Sequence, residues 1–175
     1  MKIFKKITLI FITILVFQSC NSADELTQVN FTTDLAKNIS FTTNTSGDFN
    51  KTITINLAEY GDVSDYLNKI ENIKINTADY KITAFTGTNL ETGGSFTMVS
   101  ENQEFGPFIH SSFLSDFQGG NSFAIEGADK LNVLATKLKN SNVLEIVLSG
   151  SSTTSEVYDM SIKINFNVTI TAQAL

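Results

Sequence analysis

Two residues that each occur once in this 175-residue chain, Cys20 and His110, are the first candidates for chemistry. A hydrolytic triad needs a nucleophile, a histidine base and an orienting acid, so any triad here would have to use His110. No serine lies in a Gly-x-Ser-x-Gly elbow. Zinc sites need several Cys or His ligands, and the chain has neither a second cysteine nor a His-Glu-x-x-His segment. We therefore expect no catalytic residue, no metal, no cofactor and no enzymatic activity.

The sequence also lacks the motifs of common nucleotide-binding and calcium-binding sites. The chain contains no Walker loop, no Gly-x-Gly-x-x-Gly fingerprint and no Asp-x-Asp-x-Asp-Gly calcium loop. Calcium ligands scattered along the sequence stay open as an alternative. So do paired glycosidase carboxylates, because such partners can be remote in sequence. An unrecognised hydrolase therefore remains an alternative to a non-enzymatic function.

Cys20 lies at the end of a segment with the pattern of an export signal. A basic start with three lysines precedes an apolar run over residues 7–17. A run of that length is typical of a secretory signal, and it is too short for a transmembrane helix, which needs about 20 apolar residues. Cys20 cannot form an internal disulfide because it is the single cysteine. A leftover thiol in an exported protein therefore needs another explanation.

The residues Phe17-Gln18-Ser19-Cys20 resemble the lipobox of a bacterial lipoprotein, in which the cysteine becomes the acylated N-terminus. The box departs from the common pattern, because Phe17 stands where most boxes have leucine and Gln18 is bulkier than usual. Loose boxes behind lysine- and isoleucine-rich signals are typical of lipoproteins from the Bacteroidetes. In that group, acidic residues soon after the cysteine, such as Asp24 and Glu25 here, resemble a signal for export to the outer face of the outer membrane.

This resemblance implies that Cys20 is lipidated and that the protein is anchored in the outer membrane, facing the cell exterior. It divides the chain into a signal peptide at 1–19, an acylated cysteine with a polar tether at 20–27, and one domain at 28–175. Each acyl CH₂ buried in the membrane contributes about 0.8 kcal/mol, and two or more chains make the attachment lasting.

The charge of the chain excludes several classes of partner. The leader carries three of the twelve lysines and none of the eighteen acidic residues, so nine lysines and eighteen acids remain, a side-chain charge of −9. The chain has no arginine. Binding to nucleic acid or to anionic lipid headgroups needs clustered Lys and Arg, so we expect neither. The expected partners are the membrane, through the N-terminal lipid, and a glycan, a protein or an apolar ligand.

Alternation of apolar and polar residues predicts a strand-rich domain. Its clearest instance is the last strand, where six apolar residues from Met160 to Ile170 alternate with polar ones. Such alternation indicates an antiparallel sheet with one buried and one solvated face. Residues 28–44 are predicted to form two short strands, or one strand with a ragged edge. Further strands are predicted at 51–57, 71–85, 95–100, 123–126, 143–148 and 157–171.

Two short helices are predicted between these strands. The first begins near Gly61, with Asp62 or Ser64 as its cap. The second covers 129–140, where four residues recur at the spacing of one buried helix face: Leu131, Leu134, Ala135 and Leu138. A change of phase within 71–85 predicts a β-bulge at 77–79.

Together these patterns predict a mainly β protein, an antiparallel β-sandwich or flattened barrel with two short helices. Residues 143–148 and 157–171 are predicted to form a hairpin, since a short run of small residues joins them. A parallel βαβ sheet is the alternative fold. It is disfavoured because helix and strand do not alternate regularly.

One segment, residues 101–122, follows neither strand nor helix spacing. Ile109, Phe113 and Phe117 could line one face of a short helix there. Two interpretations compete: a loop that plugs the open end of the sandwich, and a hydrophobic binding surface or lid. The candidate binding segment comprises Phe105, Phe108, His110, Phe113 and Phe117.

The sequence therefore favours a surface-exposed, non-enzymatic binding or adhesion module. The alternative is a structural or assembly lipoprotein of a membrane complex. Fold alone does not choose between them, because sandwiches of this kind host many unrelated functions.

Overall fold

The computed structural model describes residues 28–45 and 47–174, so Cys20 and the predicted signal and tether lie outside the described residues. The described chain forms eight strands, β1 Gln28–Thr42, β2 Asp48–Asn56, β3 Ile70–Phe85, β4 Gly94–Ser100, β5 Gln103–His110, β6 Ser122–Ala124, β7 Val143–Ser152 and β8 Asp159–Gln173. It also forms three helices, α1 Gly61–Ser64, α2 Phe113–Gly119 and α3 Ala128–Ser141, and a 3-10 turn at Leu57–Glu59.

The strands form two open, four-stranded sheets in which every neighbouring pair is antiparallel. One sheet has the order β1-β8-β3-β6 and the other has the order β2-β7-β4-β5. Strand β1 pairs with β8, β2 with β7, β3 with β6 and β4 with β5, as in one long hairpin wrapped across two sheets. This order is that of an eight-stranded jelly roll. The predicted antiparallel β-sandwich is confirmed.

The predicted hairpin between 143–148 and 157–171 is wrong. Strand β7 pairs with β2 and β4 in one sheet, whereas β8 pairs with β1 and β3 in the other. The connection between them therefore crosses from sheet to sheet. Alternation of apolar residues shows which face of a strand is buried, but it does not show which strand lies beside it.

The alternation predicted for the last strand is confirmed along β8. Its apolar residues from Met160 to Ile170 are at most 1% exposed, and the residues between them are half-buried on the opposite face. Because β8 lies between β1 and β3, its apolar face is central to the core of the sandwich. Burial of an aliphatic or Phe side chain stabilises the fold by about 1.5–3 kcal/mol.

Strand β3 changes phase close to the predicted position. Its register with β8 shifts between Ile75 and Thr77, so the bulge lies at Asn76, just before the predicted range 77–79. Two further shifts lie nearer the ends of the strand. After the bulge Tyr80 faces the core. In the original phase of the strand, its side chain would have faced outward.

Residues 28–42 form one continuous strand rather than two short ones. The predicted second helix is confirmed as α3, with its four predicted apolar residues buried. It contacts β3 in one sheet and β7 in the other, and so packs beside both layers.

The prediction for the first helix was only partly right. Helix α1 has a single turn, and its N-cap position is Tyr60, which makes no side-chain capping bond. Asp62 lies within that turn, and the Ser64 hydroxyl donates to the Gly61 carbonyl instead of capping the start. Helix α2 lies within the segment 101–122, where the sequence suggested a short helix, and it contains Phe113 and Phe117.

Candidate functional site

The segment 101–122 is mostly regular structure, contrary to its prediction as a loop. Its first part is strand β5, which pairs with β4 through a register shift opposite Phe96 and Met98. Gly106 and Pro107 occupy this shift, and Gly106 has a φ of 98°, which favours glycine. The irregularity interrupts the alternation from which a strand is predicted. Ile109 belongs to β5 and is 77% exposed, so it does not share a helix face with Phe113 and Phe117.

The candidate binding segment turns its side chains into the core. Phe105, His110 and Phe113 are buried, at most 4% exposed, and Phe108 and Phe117 are partly buried against the core. These side chains form no exposed hydrophobic patch. Their burial favours the interpretation as a plug over that as a lid.

Buried His110 is the centre of a hydrogen-bonded chain that runs from the core to the surface. Its Nε2 lies 2.9 Å from the Tyr80 hydroxyl and its Nδ1 lies 2.7 Å from Asp116 Oδ2. The Asn121 amide donates to the other oxygen of Asp116 at 3.1 Å. Because a carboxylate can only accept, His110 donates through Nδ1, and in the neutral tautomer Nε2 accepts from Tyr80. Burial raises the pKa of Tyr80, and the Asp116 carboxylate raises it further, so the phenol stays protonated.

This series of hydrogen bonds contains the acid and the histidine of a catalytic triad, but its third member is not a usable nucleophile. The group on Nε2 is a phenol that is 2% exposed and hard to ionise. Aromatic rings surround the imidazole, with Phe96 stacked at 5.6 Å and Phe123 edge-on at 4.8 Å between centroids. The arrangement joins α2 to β3 and β5 within the core.

A different group of residues forms an open cavity on the other face of β3. This polar pocket has a volume of about 290 Å³ and lies on the outward face of the β1-β8-β3-β6 sheet. Tyr80 faces the core, whereas its neighbours on either side in β3 face the pocket. The lining residues are Asp34, Ala36, Asp79, Lys81, Gly120, Ser122, Lys163 and Asn165.

Strand register places these residues side by side. Asn165 on β8 lies between Ala36 on β1 and Asp79 on β3. In the next row, Lys163 lies opposite Lys81, which in turn pairs with Ser122 on β6. Ala36 has the smallest side chain of the non-glycine residues that line the pocket. Two carboxylates and two ammonium groups give the pocket balanced charge.

Hydrogen bonds hold the polar side chains of the pocket in place. Asp79 accepts from the Ser122 hydroxyl at 2.6 Å and from the Asn165 amide at 3.3 Å. Asp34 accepts from the Asn167 amide at 2.8 Å. The Asn165 side-chain oxygen is buried and, among the described residues, has no hydrogen-bond partner. A buried acceptor without a donor costs free energy, and because less than 1 Å² of this atom is accessible, a ligand in the pocket does not reach it.

Two further cavities have linings that indicate no particular class of ligand. One of about 340 Å³ lies beside exposed Ile109 and Pro107 on β5, above a floor of small residues. The other, of about 420 Å³, lies between the start of β1 and helix α1. Within the described ranges, no group of three or more His, Cys, Asp or Glu side chains could hold a metal ion. No helix in that part of the chain is long and apolar enough to span a membrane.

Comparison with known proteins identifies no family, because no protein-family model and no curated protein matches the chain. Among solved structures, the chain is similar to the decameric BFDV capsid protein, with a TM-score of 0.43 and 11% identity over 81% of this chain and 99% of that one. It is similar to Turnip yellow mosaic virus, with a TM-score of 0.40 and 11% identity over 84% and 96%. For Desmodium yellow mottle tymovirus the TM-score is 0.36, with 11% identity over 84% of each chain. The jelly-roll assignment rests on the strand order alone.

Proposed function

We propose that this protein is a non-enzymatic binding module, held in the outer membrane by lipid on Cys20 and facing the cell exterior. The lipobox-like residues Phe17–Cys20 and the single cysteine support the anchor. The polar pocket is the ligand site. The observation that carries the binding role is an open cavity lined by Lys81 and Lys163, whose ammonium groups have no partner among the described residues.

Binding fits the pocket better than catalysis does. No histidine or cysteine lines it, and both oxygens of Asp79 already accept hydrogen bonds from neutral groups. General acid–base catalysis needs a group that can take up and release a proton at the reacting atom. A carboxylate held by an amide and a hydroxyl is suited instead to fixing the orientation of a ligand.

The lining of the pocket also restricts which class of ligand can bind there. Its walls carry amide, hydroxyl, carboxylate and ammonium groups, and no aromatic side chain lines it. A ligand rich in hydroxyl groups, which both donate and accept, can satisfy such walls. A glycan therefore suits this site better than an apolar ligand, whose expected aromatic partners are buried in the core.

The anchor is tested by Cys20→Ala in cells that produce the full chain. We expect the variant to leave the membrane fraction, since lipid is its only proposed attachment. A variant that still sediments with the outer membrane would contradict the anchor.

The ligand site is tested with a glycan array and pull-downs, using the full chain in detergent. Ala36→Phe fills the pocket without removing a polar contact, and Ser40→Phe, on the same strand and outward face but outside the pocket, is the control. We expect Ala36→Phe to lose capture and Ser40→Phe to keep it. Capture of an outer-membrane protein that neither variant affects would favour the alternative, a structural or assembly lipoprotein.

A further inference from the structure

Two lysines of the polar pocket stand directly opposite each other. Lys81 on β3 and Lys163 on β8 are register partners, and both line the outward cavity. Like charges at directly opposed positions of neighbouring strands destabilise a sheet. Local features that cost stability in this way are expected at functional sites.

The acidic residues of the pocket form no ion pair with these lysines. Within the described part of the chain, neither ammonium group has a hydrogen-bond or ion-pair partner. Asp79 accepts hydrogen bonds from Ser122 and Asn165. Asp34 is engaged by Asn167, which lies outside the pocket. Both lysines therefore remain free to bind an external anionic group.

The carboxylates of the pocket add a second requirement. Ser122 donates to one oxygen of Asp79 and the Asn165 amide donates to the other, so each oxygen can still accept a further hydrogen bond. Asp34 lines the same pocket. A ligand that satisfies these residues carries an anionic group for the lysines and, beside it, hydroxyls that donate to the carboxylates.

We propose that the polar pocket binds an acidic saccharide, a sugar ring bearing a carboxylate together with free hydroxyl groups. This inference rests on the proposed function and names the ligand class of the same site. The carboxylate lies between Lys81 and Lys163, and ring hydroxyls donate to the Asp34 and Asp79 carboxylates. The cavity of about 290 Å³ lies just below the ~300–1,000 Å³ typical of ligand sites, and it is open, so it suits one or two rings of a short oligosaccharide whose remaining ring extends into solvent.

Other anions fit this site less well. Asp34 and Asp79 line the same pocket and would repel a phosphate dianion more strongly than a monovalent carboxylate. An extended polyanion such as nucleic acid needs a long track of cations. The chain carries an excess of acidic residues and no arginine. A single carboxylate between two lysines is the anionic group that the local and overall charge both favour.

The experiment compares trigalacturonic acid with its methyl ester, which keeps the ring hydroxyls and removes the charge. Binding to the full chain in detergent is measured by calorimetry. Since hydrogen bonds to charged groups contribute about 1.5–3 kcal/mol, we expect the acid to bind at least about tenfold more tightly than the ester. The double variant Lys81→Gln/Lys163→Gln should lose this preference. Lys74→Gln, an exposed lysine on the same strand outside the pocket, should keep it.

The variants also distinguish failure of this inference from failure of the proposed function. Equal affinity for the acid and the ester, abolished by Ala36→Phe, would overturn the acidic class while the pocket remained a ligand site. Inorganic phosphate that binds as tightly as the trisaccharide would overturn the saccharide. Saccharide binding that no pocket variant changes would overturn both. Melting curves accompany each titration, and because removing the lysine pair removes repulsion, we expect no loss of Tm.

Discussion

Two regions on opposite faces of strand β3 differ in almost every respect that bears on function. On the inward face, Tyr80 meets the buried His110 and a cluster of aromatic rings. On the outward face, Asp79 and Lys81 line the open polar pocket. The inward group pairs its own polar atoms, whereas the outward group leaves an acceptor and two ammonium groups without partners among the described residues.

The difference shows that the residues whose types suggest chemistry are already bonded to one another in the core. The residues whose polar groups are free to bind a ligand are of common types. A buried histidine hydrogen-bonded to a phenol in the core and to a carboxylate at its edge is a specific packing element. Common residues such as Lys81 and Lys163 become candidates only through their neighbours across the sheet.

The strongest test of this comparison replaces Phe108 and Phe113 together by Ser. Phe113 is fully buried and Phe108 packs partly against the core. We expect at least about 3–5 kcal/mol of lost stability, since Phe-to-small substitutions in cores cost that much. Ligand capture below the melting transition should persist. Preserved stability with lost capture would support the lid interpretation instead.

The two faces of β8 give the next contrast. Phe166→Ala should destabilise by roughly 3–5 kcal/mol, because Phe166 is 1% exposed in the centre of the core. Its neighbour Asn167 faces outward and loses only its exposed hydrogen bonds to Asp34 and Asn76, so Asn167→Ala should cost about 1 kcal/mol. Chemical denaturation of both variants measures the difference. Equal effects would show that the face of the strand is wrongly assigned.

A smaller effect is expected for Tyr80→Phe, which leaves His110 Nε2 without its buried partner. The loss should be about 1–3 kcal/mol near neutral pH. Because the folded protein raises the pKa of Tyr80 above its usual value of 10, the unfolded chain loses the proton first. Stability is therefore fully present below pH 10 and falls as the pH rises above it. Melting curves at alkaline pH should show a shallower fall for Tyr80→Phe than for the native chain.

The smallest effect belongs to the outward face. Lys81→Gln or Lys163→Gln alone should raise stability by about 0.2–1 kcal/mol, because each removes the repulsion of an opposed pair. The gain should shrink as salt is added, since salt screens surface charges. A loss of stability in both variants would mean that the lysines support the fold.

The sequence predicted those parts of the fold that depend on local periodicity. Strand β8 and helix α3 were found with their buried residues, because each keeps one regular period over many residues. Strand β5 was missed because Gly106 and Pro107 interrupt its alternation. The pairing of β7 was predicted wrongly because a short connection suits a hairpin and a crossing between sheets equally well.

The polar pocket could not be predicted for a related reason. Alternation shows that Lys81 and Lys163 face solvent, but their opposition depends on the register of β3 against β8. That register includes the bulge at Asn76, which the sequence only approximates. His110 and its neighbouring phenylalanines were candidates because of their residue types. Their burial depends on strand β5, which the sequence did not predict.

The most direct test of where ligand binds compares Lys81→Gln/Lys163→Gln with Tyr80→Phe in the full chain, measuring trigalacturonic acid binding and Tm for each. The two changes lie on opposite faces of the same strand. We predict that the lysine variant keeps its Tm and loses at least about tenfold in affinity, whereas Tyr80→Phe lowers the Tm and keeps the affinity. A lysine variant that binds normally beside a Tyr80→Phe variant that does not would place the site in the aromatic cluster and contradict this account.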